Sequence, residues 1–193
     1  MRHKILIVLG IIIAFSMPCW AAEISLQDAV GYDLNDSMNK NYGLWTTFSP
    51  ANVTLMHEVS SAAPINSFGI YEKDNPSNMV ELFSGSNSPI MTNTFDMSGQ
   101  FGFYLQAPQN TWFSQDFLNE DQSQHMLVFQ ESPNSYLLAW EDLPIPIADK
   151  DFQDMVIRVG NAGPAPVPEP GTLFLVGSGL VGLAGWGRKK FRK

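Results

Sequence analysis

Five carboxylates fall within fourteen positions of the chain: Glu141, Asp142, Asp149, Asp151 and Asp154. Hard divalent cations take oxygen ligands, and Ca2+ takes about six to eight of them from carboxylates and loop carbonyls. Asp149, Asp151 and Asp154 are close enough in sequence to converge in one turn. Glu141 and Asp142 follow directly on a strand-like run. The pattern points to a structural Ca2+ site with these five residues as candidate ligands. It is not an EF-hand, because the loop has no Gly at its sixth position and no Glu at its twelfth. The competing expectation is that these carboxylates cap turns or face solvent in an acidic protein.

Other chemistry is thinner. A Glu–Asp pair can hydrolyse glycosides when one carboxyl is held protonated and its partner ionised, but nothing in the spacing fixes such a pair. His57 and His125 read as strand-surface or cross-strand residues rather than ligands. No G-x-S-x-G elbow, phosphate loop or dinucleotide fingerprint is present. Catalytic residues are therefore none, and the expectation is a protein that is not an enzyme. Trp112 and Phe113 stand beside Asn110, Thr111 and Ser114 in an apparent loop, where large aromatics need a reason. They are the candidate ligand-binding residues, since an exposed aromatic face stacks on sugar rings.

The elements that must position these groups follow from composition and punctuation. The chain has 193 residues and a net charge of −8, with 45% hydrophobic and 12% aromatic residues. That is enough apolar material for a core, so wholesale disorder is excluded. The charge is unevenly spread. Residues 23–167 hold 18 acidic residues against four basic ones (Lys40, Lys73, Lys150 and Arg158), a net −14. Such a body is a poor partner for nucleic acid. Turn clusters at Ser49-Pro50, Pro64, 74–77, 84–89, 108–110, 132–135 and 144–146 separate short strand-like runs at 52–59, 66–72, 79–83, 100–106, 125–130, 136–140 and 155–159. Phe101, Phe103 and Leu105 alternate with Gly102 and Tyr104, the period of a sheet with one packed face. Ser25-Leu26-Gln27-Asp28 resembles a capping box and starts a short helix that Gly31 limits. Seven short strands predict an all-β fold, a β-sandwich or jelly roll.

The two ends read as address segments. Residues 1–4 carry two cations, 5–15 are uninterruptedly apolar, and Cys19-Trp20-Ala21-Ala22 follows. This is a cleavable signal peptide spanning 1–21, with the cut after Ala21. Pro18 argues against lipidation of Cys19, and loss of the signal leaves a chain without cysteine, hence without disulfides or thiolate sites. Residues 22–159 form the exported domain and 160–170 a Pro/Gly linker. Residues 171–187 carry no charge and form a short transmembrane helix, about 26 Å long. Residues 188–193 form a basic cytoplasmic tail, where Arg188, Lys189, Lys190, Arg192 and Lys193 anchor the end.

The order Val167-Pro168-Glu169-Pro170, short apolar span, Arg-Lys cluster resembles a PEP-CTERM sorting signal. The resemblance implies that exosortase, a membrane enzyme of Gram-negative bacteria that make exopolysaccharide, processes the chain. It also implies that the Pro-Glu-Pro residues are recognised. A second resemblance rests on Asn66-Ser67-Phe68-Gly69-Ile70-Tyr71, Val80-Glu81-Leu82-Phe83, Phe101-Gly102-Phe103-Tyr104-Leu105, and Trp140-Glu141-Asp142-Leu143 followed by residues 149–156. These are similar to an uncharacterised domain family of exported bacterial proteins ending in E-D-L…D-x-D-[FY]-N-D-[LMV]-V. Gln153 departs from the Asn common there. That family implies no activity. The resulting expectation is an exported envelope or extracellular-matrix structural protein, membrane-anchored as a precursor and then at the cell surface or outside. The second reading is a secreted carbohydrate-binding module whose partner is exopolysaccharide, and the third a glycan-active enzyme.

Overall fold

The computed structural model describes residues 25–38, 42–58, 65–84, 90–166 and 178. The expected signal peptide, sorting motif and basic tail lie outside them, as does the expected membrane helix apart from Ser178. Among the described residues no helix is long and apolar enough to cross a membrane.

The body begins with the helix that its caps define. Helix α1 spans Leu26–Val30; the Ser25 hydroxyl accepts the Asp28 N–H at 3.2 Å, and Gly31 ends the helix at φ 84°. Nine strands follow: β1 Trp45–Glu58, β2 Ser67–Glu72, β3 Asn75–Ser84, β4 Thr92–Phe95, β5 Phe101–Gln106, β6 Thr111–Phe113, β7 Met126–Ser132, β8 Ser135–Trp140 and β9 Met155–Pro164. All seven predicted strands are present, and β4 and β6 are additional. The turn expected at Ser49-Pro50 is instead a register shift inside one long strand, between Thr47 and Asn52. Proline cannot donate to the ladder, and a bulge accommodates it without ending the strand.

Strand β9 corrects the expected boundary at residue 160. Gly160, Ala162, Gly163 and Pro164 pair with β1, so the first part of the Pro/Gly segment is sheet. The glycines have a packing reason. A Cβ on Gly160 would stand 2.6 Å from the Asn52 amide oxygen, and one on Gly163 2.8 Å from the Phe48 ring. Side chains of β1 lie over both positions, and only glycine leaves them room.

The pairing is antiparallel throughout, in the order β3-β2-β5-β1-β9-β8-β7, with β4 also on β1 and β6 also on β5. Strands β2 and β8 are four steps apart in that order, about 19 Å in a flat sheet. Yet the Phe68 and Trp140 rings meet at 6.1 Å, and Trp45 meets Tyr136 at 5.1 Å. The two ends of the sheet therefore fold face to face. The result is all-β and consistent with a β-sandwich.

The enclosed core holds Trp45, Val53, Phe68, Phe103, Leu138, Trp140, Ile157 and their neighbours. The outer faces are covered too, which the one-face alternation did not anticipate. Helix α1 places Leu26 on Phe129, Leu137, Ala139 and Val156. On the opposite half, the Tyr71 ring lies over its cross-strand neighbour Gly102 and Tyr104 lies over Gly69. The Tyr71 hydroxyl donates to Gln115 at 3.0 Å, and burial pushes it up to about 12.

Candidate metal centre

Antiparallel pairing brings three strand ends to one edge. Trp140, the last residue of β8, pairs with Met155, the first of β9; Met155 pairs on its other side with Glu58, the last of β1. Glu141 and Asp142 therefore leave the sheet beside Asp154, and Glu58 lies one strand further on. The Asp142 N–H donates to Asp154 at 2.8 Å. Between the strands, residues 143–153 form a loop with left-handed Lys150 (φ 65°) and Phe152 (φ 55°). Asp151 accepts the Gln153 N–H at 3.2 Å and its side-chain amide at 2.6 Å, so Gln153 orients that carboxylate. Left-handed conformations cost L-residues roughly 1–2 kcal/mol each, so packing and hydrogen bonds must hold this loop. Phe152 supplies part of that packing against the α1 cluster.

All five predicted carboxylates come together. They form two triads, Glu141–Asp149–Asp151 and Glu141–Asp142–Asp154, each with one oxygen per residue within 4.8 Å of the others. The first opens to solvent through Asp149, while Glu141 and Asp142 are buried. No Lys or Arg among the described residues forms an ion pair with Glu58, Glu141, Asp149, Asp151 or Asp154. Burial, with Asp154 beside it, holds the Glu141 carboxyl well above the usual carboxylate range. Asp154 is raised as well, by burial first and then by the charge of Asp142, against the lowering effect of the Asp142 N–H. Glu58 is pushed up to about 8 by burial and then by the charge of Asp142.

A second feature marks the same place. Four buried side-chain oxygens have no hydrogen-bond donor among the described residues: Glu58 Oε1, Asn66 Oδ1, Glu141 Oε2 and Gln153 Oε1. Asn66 is fully buried and donates its Nδ2 to Asp142 at 3.1 Å, which fixes its amide at the cluster. An unmet buried acceptor costs about 1–3 kcal/mol. A cation meets such oxygens together, and every donor atom here is a hard oxygen, the set that Ca2+ or Mg2+ prefers over softer metals. Sequence reading missed Glu58, Asn66 and Gln153 as members of this site.

Behind the cluster stands a rigid support. His125 is fully buried and stands cross-strand to Glu141, whose N–H donates to the His125 carbonyl at 3.0 Å, so of its two expected placements the strand-surface one does not hold. Its Nδ1 lies 3.1 Å from the Glu141 carbonyl, and its Nε2 3.1 Å from the Asp121 carboxylate. Both partners are acceptors, so each ring nitrogen faces an oxygen. Burial pushes the Asp121 carboxyl up, but the Ser123 N–H first, then the His125 hydrogen bond, the Ile145 N–H and the His125 charge together hold it below its ordinary value. The Ile145 N–H bond, at 3.1 Å, ties this unit to the acidic loop.

Trp112 stacks on His125 with centroids 3.7 Å apart and donates its indole N–H to the Asp142 carbonyl at 2.7 Å. The expectation of Trp112 as an exposed sugar platform is thereby corrected. It is 1% exposed, because β6 is a strand and alternation turns Trp112 inward. Phe113 is half-buried, edge-on to Tyr71 at 5.1 Å. A cleft of about 280 Å³ opens beside Asp142, its lining mixing apolar Ile65, Ala107, Pro108, Leu143 and Pro144 with polar Gln109, Asn110 and Asp142.

Comparison with known proteins adds a sorting signal and a body family. The chain carries a PEP-CTERM protein-sorting motif at residues 166–189. Residues 85–162 match a domain of unknown function, DUF4114. That span contains all five carboxylates, whereas the resemblance read at 66–71 and 80–83 lies outside it. No curated protein matches the chain. Among solved structures, a Chromobacterium violaceum lectin, CV2L, in complex with alpha-methyl-fucoside aligns at 15% identity. The alignment covers 64% of this chain and 97% of the lectin, with a TM-score of 0.38. At that TM-score the likeness carries no argument about fold or ligand.

Proposed function

We propose that the protein is a non-enzymatic component of the cell envelope or extracellular matrix, with a Ca2+-stabilised β-sandwich body delivered by exosortase. The observation that carries this reading is the sorting motif at 166–189, which begins two residues after the last strand of the body. The motif implies export through the inner membrane and exosortase-dependent surface localisation. In this reading residues 1–21 are removed as a signal peptide and 171–187 halt transfer as a membrane helix. Arg188, Lys189, Lys190, Arg192 and Lys193 then hold the cytoplasmic side until processing near Pro168–Glu169–Pro170.

The buried oxygen cluster supports the cation, and its geometry favours ion holding over glycoside hydrolysis. Glycosidases set two carboxyls roughly 5–9.5 Å apart around an open sugar site. Here three oxygens at a time crowd within 4.8 Å, and Glu141, the residue common to both groups, is buried. The test is replacement of Pro168, Glu169 and Pro170 by Ala, read by cell fractionation and mass. The expected result is a full-length form retained in the membrane; normal processing and surface delivery would refute the sorting reading.

The mixed-polarity cleft beside Asp142 favours a second reading, a carbohydrate-binding module. Its apolar lining residues suit the C–H face of a sugar ring, and Gln109, Asn110 and Asp142 suit its hydroxyls. Binding of the organism's exopolysaccharide, lost on Leu143→Asp and retained on Phe117→Ser (an exposed aromatic not among the cleft-lining residues), is the expected signature.

A further inference from the structure

Resting on the cation reading above, we propose that the cluster holds two Ca2+ ions bridged by Glu141, an inner one and an outer one. The five carboxylates do not converge on one point; they divide into two triads that have only Glu141 in common. A limit of 4.8 Å between oxygens is twice a typical Ca–O distance of about 2.4 Å, so each triad by itself fits around one ion.

The two sets differ in character. Glu141, Asp142 and Asp154 form the inner set, close to the sheet edge. Asn66 donates its amide nitrogen to Asp142, which leaves its fully buried, unmet oxygen at the same place. Glu58 brings a further unmet oxygen within electrostatic reach of Asp142. With Asn66 the inner ion has four candidate protein side chains, and Glu58, which shares no 4.8 Å triad with them, stands outside that set.

The outer set is Glu141, Asp149 and Asp151, with Asp149 exposed and Asp151 half-buried. It comes from the irregular loop alone, apart from Glu141, and must complete its shell with carbonyls and water. Glu141 is 1% exposed and its Oε2 meets no donor among the described residues, as a bridging carboxylate between two cations requires. Charge agrees with the count. The two triads hold five carboxylates; one divalent ion offsets two of their charges when ionised and two ions offset four. The inner ion then fixes the ends of β8 and β9, and the outer ion orders the loop over it.

The test is the number of ions. The full-length chain in mild detergent, stripped with EDTA, is titrated with CaCl2 by calorimetry. Two equivalents are expected. The double variant Asp149→Asn/Asp151→Asn should bind one, with the remaining affinity within about threefold of the tighter wild-type site. One equivalent in the wild type, or loss of all binding in the double variant, overturns the two-ion arrangement and leaves a single cation site standing. No binding in the wild type overturns both that arrangement and the cation reading itself.

Far-UV circular dichroism checks that the double variant folds. Should it not, Tb3+ luminescence on the wild type decides alone. Trp140 adjoins Glu141, and Trp112 is bonded to the Asp142 carbonyl, so both indoles can sensitise bound Tb3+. Saturation at two equivalents supports the pair, and saturation at one overturns it.

Discussion

Removal of the cation should reverse the ordinary dependence of stability on pH. Glu58, Glu141 and Asp154 have folded-state proton affinities above those of unfolded carboxyls, whose values are 4.5 for Glu and 3.8 for Asp. A group raised in this way contributes stability fully below its unfolded value and loses it as pH rises through the folded one. For Glu58 that window runs from about 4.5 to about 8. Glu131 and Asp121 are shifted the other way, and their contributions fade only toward acid pH, below about 4.5. In EDTA the melting temperature should therefore fall between pH 5.5 and pH 8.

Calcium should cancel this loss, because its ligands bind it deprotonated. At a Kd of about 10⁻⁴ M, typical of extracellular modules, 10 mM Ca2+ adds about 2.7 kcal/mol per ion. For a domain of this size each kcal/mol raises the melting temperature by about 2–4 °C, so two ions raise it by about 10–20 °C at pH 8. The rise should be smaller at pH 5.5, where protons compete. Differential scanning calorimetry in EDTA and in CaCl2 at the two pH values reads all four numbers. A calcium-free protein that grows more stable from pH 5.5 to 8, or one indifferent to 10 mM Ca2+, would refute the reasoning.

Four substitutions probe the frame around the cluster. Gly102→Ala places a methyl 2.2 Å from the buried Tyr71 ring, so chemical denaturation should show a loss of about 2–3 kcal/mol. Gly31→Ala, with nothing within 4 Å but φ 84°, should cost only the left-handed strain of about 1–2 kcal/mol. Trp112→Ala should cost about 3–5 kcal/mol by removing a buried ring, and should weaken Ca2+ binding through the lost bond to the Asp142 carbonyl. Arg158→Ala breaks a two-armed pair with Glu131, both contacts 2.7 Å, yet half-exposed pairs of this kind are worth about 0.2–1 kcal/mol, so its melting shift should stay within a few degrees.

Much of the fold was legible because local signals and tertiary structure agree. Ser25 and Gly31 cap α1 as their types predict, and the seven alternating runs are strands. The misreadings share a cause: each concerns residues whose local preference the sheet overrides. Pro50 reads as a turn, but β1 absorbs it in a bulge between two stretches that pair with β9. Thr111–Phe113 is too short to show a period, and its strand exists because β5 offers it an edge. Gly160 and Gly163 read as linker because nothing in their own neighbourhood reveals the Asn52 and Phe48 side chains lying over them.

The site divides along the same line. Asp149 and Asp151 were legible because a loop needs no tertiary partner to bring them together, whereas Asp154 joins Glu141 and Asp142 in the other triad, across the ends of β8 and β9. Glu58 and Asn66 were not: Glu58 nears the cluster only through pairing across β1, β9 and β8, and Asn66, just before β2, only because the two ends of the sheet fold face to face, 76 positions from the aspartate it contacts. The same pairing joins the site to the sorting signal. Strand β9 starts one residue after Asp154, runs between β1 and β8, and ends at Pro164. The Ala165 N–H still bonds to the Leu44 carbonyl at 2.8 Å, and the motif begins at the next residue. Three residues, at most about 11 Å of extended chain, separate that N–H, the last bonded one among the described residues, from Pro168. A processing enzyme that recognises Pro168–Glu169–Pro170 must therefore work against the surface of the folded body. A cation that secures the start of β9 steadies the strand from which that recognition segment hangs.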